Sequence, residues 1–150
     1  MAVFLCSLSA WCQPHLLELA LKLLKRHDDV SKIEQLLEEN GMSVTAKEFS
    51  QDVASTYYLT AVNSDSIAPL HAAFSNTTEH RIAAVIFEID LKSEYYNQLS
   101  GDIKKLGFEL IEDDGNELDY RNSNNVQCNI LFPTNGKVKL VIFKRTHTLW

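Results

Sequence analysis

The segment that decides the fold reads IAAVIFEI over residues 82–89 and is a nearly continuous run of apolar, mostly β-forming residues. A strand with one face in water alternates apolar and polar residues, whereas an unbroken apolar run is typical of a strand that is covered on both faces. The run is also shorter than the ten or so residues that a buried helix usually has. We therefore predict a central strand here.

Downstream of this run the sequence predicts one helix and then a β-meander. Ser93 can cap a helix in which apolar residues recur at three- and four-residue spacing until Gly107 ends it. Turn-forming clusters then separate short β-rich segments. The predicted strands are residues 108–111, 118–121, 126–132 and 138–143, which with residues 82–89 make a mixed or antiparallel sheet of about five strands.

The N-terminal half is predicted to be mainly helical. Residues 15–26 are apolar on nearly every side, and a second apolar stripe follows Asp29 until the stop signal Asn40-Gly41. The tetrapeptide Thr45-Ala46-Lys47-Glu48 has the spacing of a capping box and predicts a third helix. Residues 67–74 are predicted to form one more short helix.

These predictions combine into an α+β fold with a helical N-terminal half packed on the sheet. Residues 55–62 fit either a strand or a continuation of the third helix. No linker or internal repeat divides the chain, so we expect a single domain over residues 1–150, with a helical subdomain at residues 14–54 as the alternative.

Charge and cysteine content favour a cytoplasmic chain with a basic partner. The net charge of −6 opposes attachment to nucleic acid or to anionic lipid. The odd number of cysteines, Cys6, Cys12 and Cys128, predicts free thiols rather than a disulfide scaffold, with a Cys6–Cys12 bridge as the alternative. The apolar start, Met1 to Trp11, has no leading basic residue and predicts a buried strand or helical turn rather than a cleaved signal segment.

The strongest functional signal is a run of acidic residues around a predicted hairpin turn. No basic residue interrupts this run, and exposed loop tips commonly carry binding residues. We expect the acids to attract a basic protein, with the neighbouring aromatic ring of Tyr120 as an anchor. The predicted partner-binding residues are Glu109, Glu112, Asp113, Asp114, Glu117, Asp119 and Tyr120.

The alternative is that basic residues of the last strand neutralise these acids within the sheet, in which case the run is only a solvated turn. The candidates for such pairing are Lys137, Lys139, Lys144 and Arg145.

Catalytic motifs are absent from the sequence as it stands. The five histidines are scattered, so neither a zinc site nor any other metal or cofactor is predicted. An enzyme would need a site assembled from distant residues, and its first candidates are His71, His80, Glu88 and Asp90.

Residues 33–53 look like a helix-turn-helix, which predicts a DNA-binding regulator as another alternative. Its recognition helix would carry Lys47 as a lone base beside Glu48 and Asp52, a poor match to the chemistry that reads base edges.

The favoured hypothesis is a small acidic inhibitor that binds another protein. Its most concrete form is a bacterial immunity protein that covers the active site of a basic toxin, such as a nuclease, by steric occlusion and electrostatic steering.

Overall fold

The computed structural model describes residues 15–25, 30–50, 56–63, 70–75, 82–92, 94–133 and 135–145. Within them the helices are α1 (Leu16–Lys25), α2 (Val30–Glu39) and α3 (Glu94–Lys105). The strands are β1 (Met42–Ser50), β2 (Thr56–Asn63), β3 (Leu70–Ser75), β4 (Ile82–Asp90), β5 (Glu109–Asp113), β6 (Glu117–Arg121), β7 (Val126–Leu131) and β8 (Lys137–Arg145).

All eight of these strands form one antiparallel sheet in the order β1-β2-β3-β4-β8-β7-β6-β5. Strands β1 to β4 form a first antiparallel meander, and α3 then connects β4 to β5 at the far edge of the sheet. The chain returns as a second meander, so that β8 pairs with β4 over the whole length from Ile82↔Arg145 to Asp90↔Lys137. The central pair β4–β8 therefore joins the two halves of the chain.

The core lies between the helices and one face of this sheet, which we call the helix face. Val85, Phe87 and Ile89 of β4 are fully buried there. Their neighbours Leu140 and Ile142 of β8 are equally buried, because directly paired residues point to the same face. Helix α1 packs over β4 and β8 and adds a second buried layer that consists of Leu16, Leu17, Leu19, Ala20, Leu23 and Leu24.

A polar contact between two helices fixes the position of α3. Asp102 of α3 is 7% exposed, and its Oδ2 atom lies 3.1 Å from Nδ1 of His15, just before α1. A buried carboxylate is costly unless it is hydrogen-bonded, so this contact favours one placement of α3 against α1. The same helix forms a wall of the candidate site described below.

Several local predictions are confirmed. Helices α1, α2 and α3 lie where the apolar spacing places them, and α2 and α3 are followed by Gly41 and Gly107, each with a φ angle of 73°. This left-handed conformation is the usual way for a glycine to end a helix. The predicted C-terminal antiparallel meander is present as β5 to β8.

The predicted helical N-terminal half and the count of about five strands are wrong. Residues 42–50 form β1 instead of a third helix. Thr45 is the extra residue of a β-bulge in this strand, and its hydroxyl donates a hydrogen bond to the Thr60 carbonyl at 3.3 Å. The ambiguous residues 55–62 contribute to β2, and β3 occupies most of the predicted helix at 67–74. Pairing of β1 with the next strand, β2, outweighs the local capping spacing in this region.

Two alternative predictions, the helix-turn-helix and the helical subdomain, depended on the third helix and are affected by its absence. The second helix of the predicted helix-turn-helix does not exist over residues 42–50, and β1 belongs to the common sheet rather than to a helical subdomain. The predictions for Met1 to Trp11, Cys6, Cys12 and His80 lie outside the described residues.

The prediction that β4 is covered on both faces is correct for the helix face only. On the opposite face, which we call the open face, Ala84, Ile86 and Glu88 are partly exposed. No helix of the described residues packs there, since α1, α2 and α3 all lie on the helix face.

The burial pattern predicts very different costs for two substitutions of the same type. Phe87→Ala removes a ring that is 0% exposed, and the resulting cavity is expected to lower the free energy of unfolding by about 3–5 kcal/mol. Phe49→Ala removes a ring that is 56% exposed and should change it by less than about 0.5 kcal/mol. Urea unfolding of both variants measures the difference, and equal costs would contradict the assigned core.

Candidate protein-binding site

The acidic residues predicted from the sequence lie on a hairpin at one edge of the sheet. Strand β5 is the outermost strand on this side and pairs only with β6 among the described residues. All five side chains of β5 are exposed. The hairpin therefore offers a complete strand edge and several charged groups to solvent.

Two of the predicted binding residues have a structural task in the hairpin turn. Asp113 Oδ1 accepts a hydrogen bond from the Gly115 backbone at 2.9 Å, and Asp114 Oδ1 accepts from the backbone N–H groups of Asn116 and Glu117 at 2.8 Å each. Gly115 has a φ angle of 85°, which only glycine adopts readily. Substitution of Asp113 or Asp114 would thus alter the turn as well as its charge.

Strand register sorts the remaining hairpin side chains by face. Glu112 pairs with Asp119, and Glu109 pairs with Arg121. Glu117 and Asp119 belong to the open face, because their β7 partners Leu131 and Asn129 alternate with the buried residues of that strand. Glu109 and Glu112 belong to the same face through their partners on β6. We call the four open-face acids Glu109, Glu112, Glu117 and Asp119 the acid row.

Asp119 of the acid row and its neighbour Asn129 each have an acceptor atom that lacks a donor among the described residues. Asn129 Nδ2 donates to Glu117 Oε1 at 2.7 Å, but Oδ1 of Asn129 and Oδ1 of Asp119 are buried and accept no hydrogen bond from the described residues. Asp119 and Asn129 stand directly opposite each other on β6 and β7. A buried acceptor without a donor costs about 1–3 kcal/mol, so these two atoms are a local cost to the folded chain.

The pKa of Asp119 reflects the same environment. Burial raises the pKa of this carboxyl above its ordinary value, and the negative charge of Glu117, a hydrogen bond with Glu117 and the charges of Glu112 and Asp114 raise it further. Like charges thus accumulate here without compensation from the described part of the chain.

The lysines of β8 do not neutralise the acid row. Strand β7 lies between β6 and β8, which places the backbone of β8 about 9.6 Å from that of β6. Lys137 and Lys139 instead stand opposite Asp90 and Glu88 of β4. No basic side chain of the described residues lies within 4.0 Å of a carboxylate of the hairpin. Arg121, opposite Glu109, is the nearest base in the register.

The other side of the hairpin forms an apolar groove, which we call the hairpin groove. Its floor consists of Leu110, Leu118, Tyr120 and Ile130, and its wall is the outer side of α3. The cavity volume is about 610 Å³. Burial raises the pKa of the Tyr120 hydroxyl, with smaller effects from Cys128 and Asp113. Tyr120 therefore lies on the opposite face from the acid row, not among the acids.

The hairpin groove was not predicted from the sequence, although the sequence contains a signal for it. Residues 117–121 read ELDYR, which alternates charged and large apolar side chains at every step. Such alternation places the acids on one face and Leu118 and Tyr120 on the other. Phe108, Tyr96 and Ile103 reach the groove from α3 and its C-terminal end, and only the fold brings them there.

The dispersed enzyme site gains no support from its described members. Glu88 and Asp90 share the open face as predicted, but each stands opposite a lysine. His71 lies on β3, where Nδ1 is 3.4 Å from the Thr60 hydroxyl. Among the described residues no group of three or more His, Cys, Asp or Glu side chains has a geometry that could hold a metal ion.

Comparison of the chain with protein-family models, with curated proteins and with solved structures gives no match. No helix in the described part of the chain is long and apolar enough to cross a membrane. The interpretation of the hairpin therefore depends on its own geometry.

Asp119 makes the stability of the fold depend on pH. The folded chain binds this proton more tightly than the unfolded chain, whose Asp has a pKa near 3.8. The free energy of unfolding should therefore fall as the pH rises from that value through the raised folded-state pKa. Asp119→Asn should flatten this slope and raise the free energy of unfolding at neutral pH by roughly 0.2–1 kcal/mol, which urea unfolding across the pH range measures.

Glu109→Gln is the matched control for this experiment. It removes one charge from the same row, but its carboxylate faces Arg121 rather than another acid. We expect no gain in stability from this variant. An Asp119→Asn protein that is less stable than the wild type at neutral pH would show that the carboxylate has a compensating partner.

Proposed function

We propose that this chain is a protein-binding inhibitor whose acid row docks on a basic surface of its partner. The observation that supports the proposal is the acid row itself, four carboxylates on one face of the edge hairpin with no basic side chain of the described residues within 4.0 Å. An arginine side chain of the partner brings five N–H donors, and a lysine brings three. Either one would place a positive charge beside the exposed carboxylates of Glu109 and Glu112 and reduce the repulsion within the row.

The remaining acids have a second role in this proposal. Glu109 and Glu112 are exposed and make no side-chain hydrogen bond or ion pair with another described residue. Exposed charges of this kind contribute little to affinity by themselves but accelerate association with an oppositely charged surface. Asp113 and Asp114 add to the same potential while they close the turn.

The most concrete form of the proposal is a bacterial immunity protein that covers the active site of a basic toxin, such as a nuclease. A surface that binds nucleic acid is basic, and its lysine and arginine side chains carry the positive charge that is complementary to the acid row. Inhibition then follows from occlusion, since the hairpin and the adjoining sheet edge would occupy the position of the substrate phosphates. No cofactor enters this mechanism.

We also propose that the protein acts in the cytoplasm. Cys128 is a free, fully buried thiol, and burial raises its pKa to about 12, so it remains protonated and unreactive. It functions as a small apolar side chain of the core, which suits a reducing compartment.

The test is affinity capture from the cells that produce the protein, followed by titration of the purified partner. We expect a basic protein to be retained, and raised salt to slow its association. The double variant Glu109→Lys, Glu112→Lys should weaken the complex at least about tenfold, because it reverses charge without removing a bond that the turn needs. For a toxin partner, the same variant should lose inhibition in an activity assay.

The control is the double variant Glu38→Lys, Glu48→Lys, which makes the same change in net charge at two exposed positions of α2 and β1. It should bind as the wild type does. Equal binding by the hairpin variant and the wild type would overturn the proposal, and so would a set of retained proteins without a basic member.

A further inference from the structure

We infer that the partner contributes an extended segment that pairs with the outer edge of β5, with basic side chains against the acid row and apolar side chains in the hairpin groove. This inference rests on the proposed function and specifies how the partner is held. The acid row and the groove lie on opposite faces of the same two strands. A segment bound along the edge of β5 could therefore contact both the acid row and the hairpin groove.

The outer edge of β5 is open to such pairing. Among the described residues, β5 has β6 as its sole strand neighbour, and its side chains are exposed throughout. An edge strand offers a row of unpaired N–H and C=O groups to an incoming chain. An added strand gains affinity from its main-chain hydrogen bonds and specificity from the pockets that receive alternate side chains.

The register of the hairpin predicts the side-chain pattern of the segment. Leu110 is 52% exposed and belongs to the groove side through its partner Tyr120, whereas Glu109 and Glu112 belong to the acid row. Successive residues of an added strand point alternately to these two sides. The segment should therefore alternate lysine or arginine with large apolar residues.

The hairpin groove has room for the apolar side chains. Its volume of about 610 Å³ lies within the range of roughly 300–1,000 Å³ that is typical of sites for small ligands. Leu99, Ile103 and Phe108 supply its inner apolar surface, and polar groups of α3 such as Asn97 and Ser100 stand along its wall. One or two aliphatic or aromatic side chains of the partner would occupy part of it.

A second copy of this chain does not suit the same edge. Pairing β5 with another β5 would bring Glu109, Glu112 and Asp113 of both copies together, and like charges across two strands are destabilising. The β-bulge at Ile111, which is 59% exposed, also limits the length of regular pairing. A basic segment turns the same charges into attraction.

The test uses the full chain and a synthetic peptide of about seven residues that alternates lysine with phenylalanine or leucine. Backbone amide NMR signals should shift at β5 and along the groove. The alternating peptide should bind at least about tenfold more tightly than a peptide of the same composition with its lysines in one block. A peptide with glutamate in place of lysine should not bind.

Backbone methylation separates strand pairing from other modes of docking. Two versions of the peptide carry N-methyl groups on either the odd or the even residues. A paired strand directs alternate N–H groups toward β5, so one version should lose binding and the other should retain it. Equal behaviour of the two versions would overturn strand pairing, and so would an alternating peptide that fails to bind.

The variant Leu110→Ser tests the groove, with Leu91→Ser, 37% exposed in the turn after β4, as its control. We expect about a tenfold loss of peptide affinity for Leu110→Ser alone. If the double variant Glu109→Lys, Glu112→Lys abolishes binding of the natural partner but Leu110→Ser leaves it unchanged, the proposed function stands and the paired segment is rejected. If neither variant affects the partner, both are rejected.

Discussion

The two-residue alternation of side chains along a β-strand organises both the core and the surface of this protein. In β4 and β8 it directs Phe87 and Leu140 into the core under α1. In β6 the same alternation places Glu117 and Asp119 on the open face and Tyr120 in the hairpin groove. One geometric rule thus separates charge from apolar surface on a single hairpin, and the edge of β5 is where the two meet.

The position of the hairpin in the sheet explains why its charges have no ion-pair partner among the described residues. Helix α3 carries the chain from the centre of the sheet to its edge, so β5 and β6 lie far from the lysines of β8. Those lysines face Glu88 and Asp90 instead. Within the described residues, burial and then the neighbouring acids raise the pKa of Asp119, and a basic partner would reduce the repulsion among these acids. Features of this kind are common at functional sites because binding removes the cost.

Predictions from the sequence succeeded where a local signal decides the structure. Gly41 and Gly107 end helices because their left-handed conformation is a property of the residue itself. The region around Thr45 failed because its capping spacing is local, whereas pairing of β1 with β2 depends on residues more than ten positions away. The acids of the hairpin were recognised, but whether lysines neutralise them depends on strand order, which periodicity does not encode. The groove needs α3 as well as the alternation of β6.

The proposed mode of binding requires that the carboxylates of the hairpin lack a compensating charge in the free protein and acquire one on binding. NMR titration of the Asp119 side-chain carboxyl, in the free chain and with the alternating basic peptide bound, measures this directly. The account predicts a pKa above the ordinary value of 3.8 in the free protein and a lower one in the complex. A pKa at or below that value in the free protein would contradict the account, since it would show that the charge is already balanced.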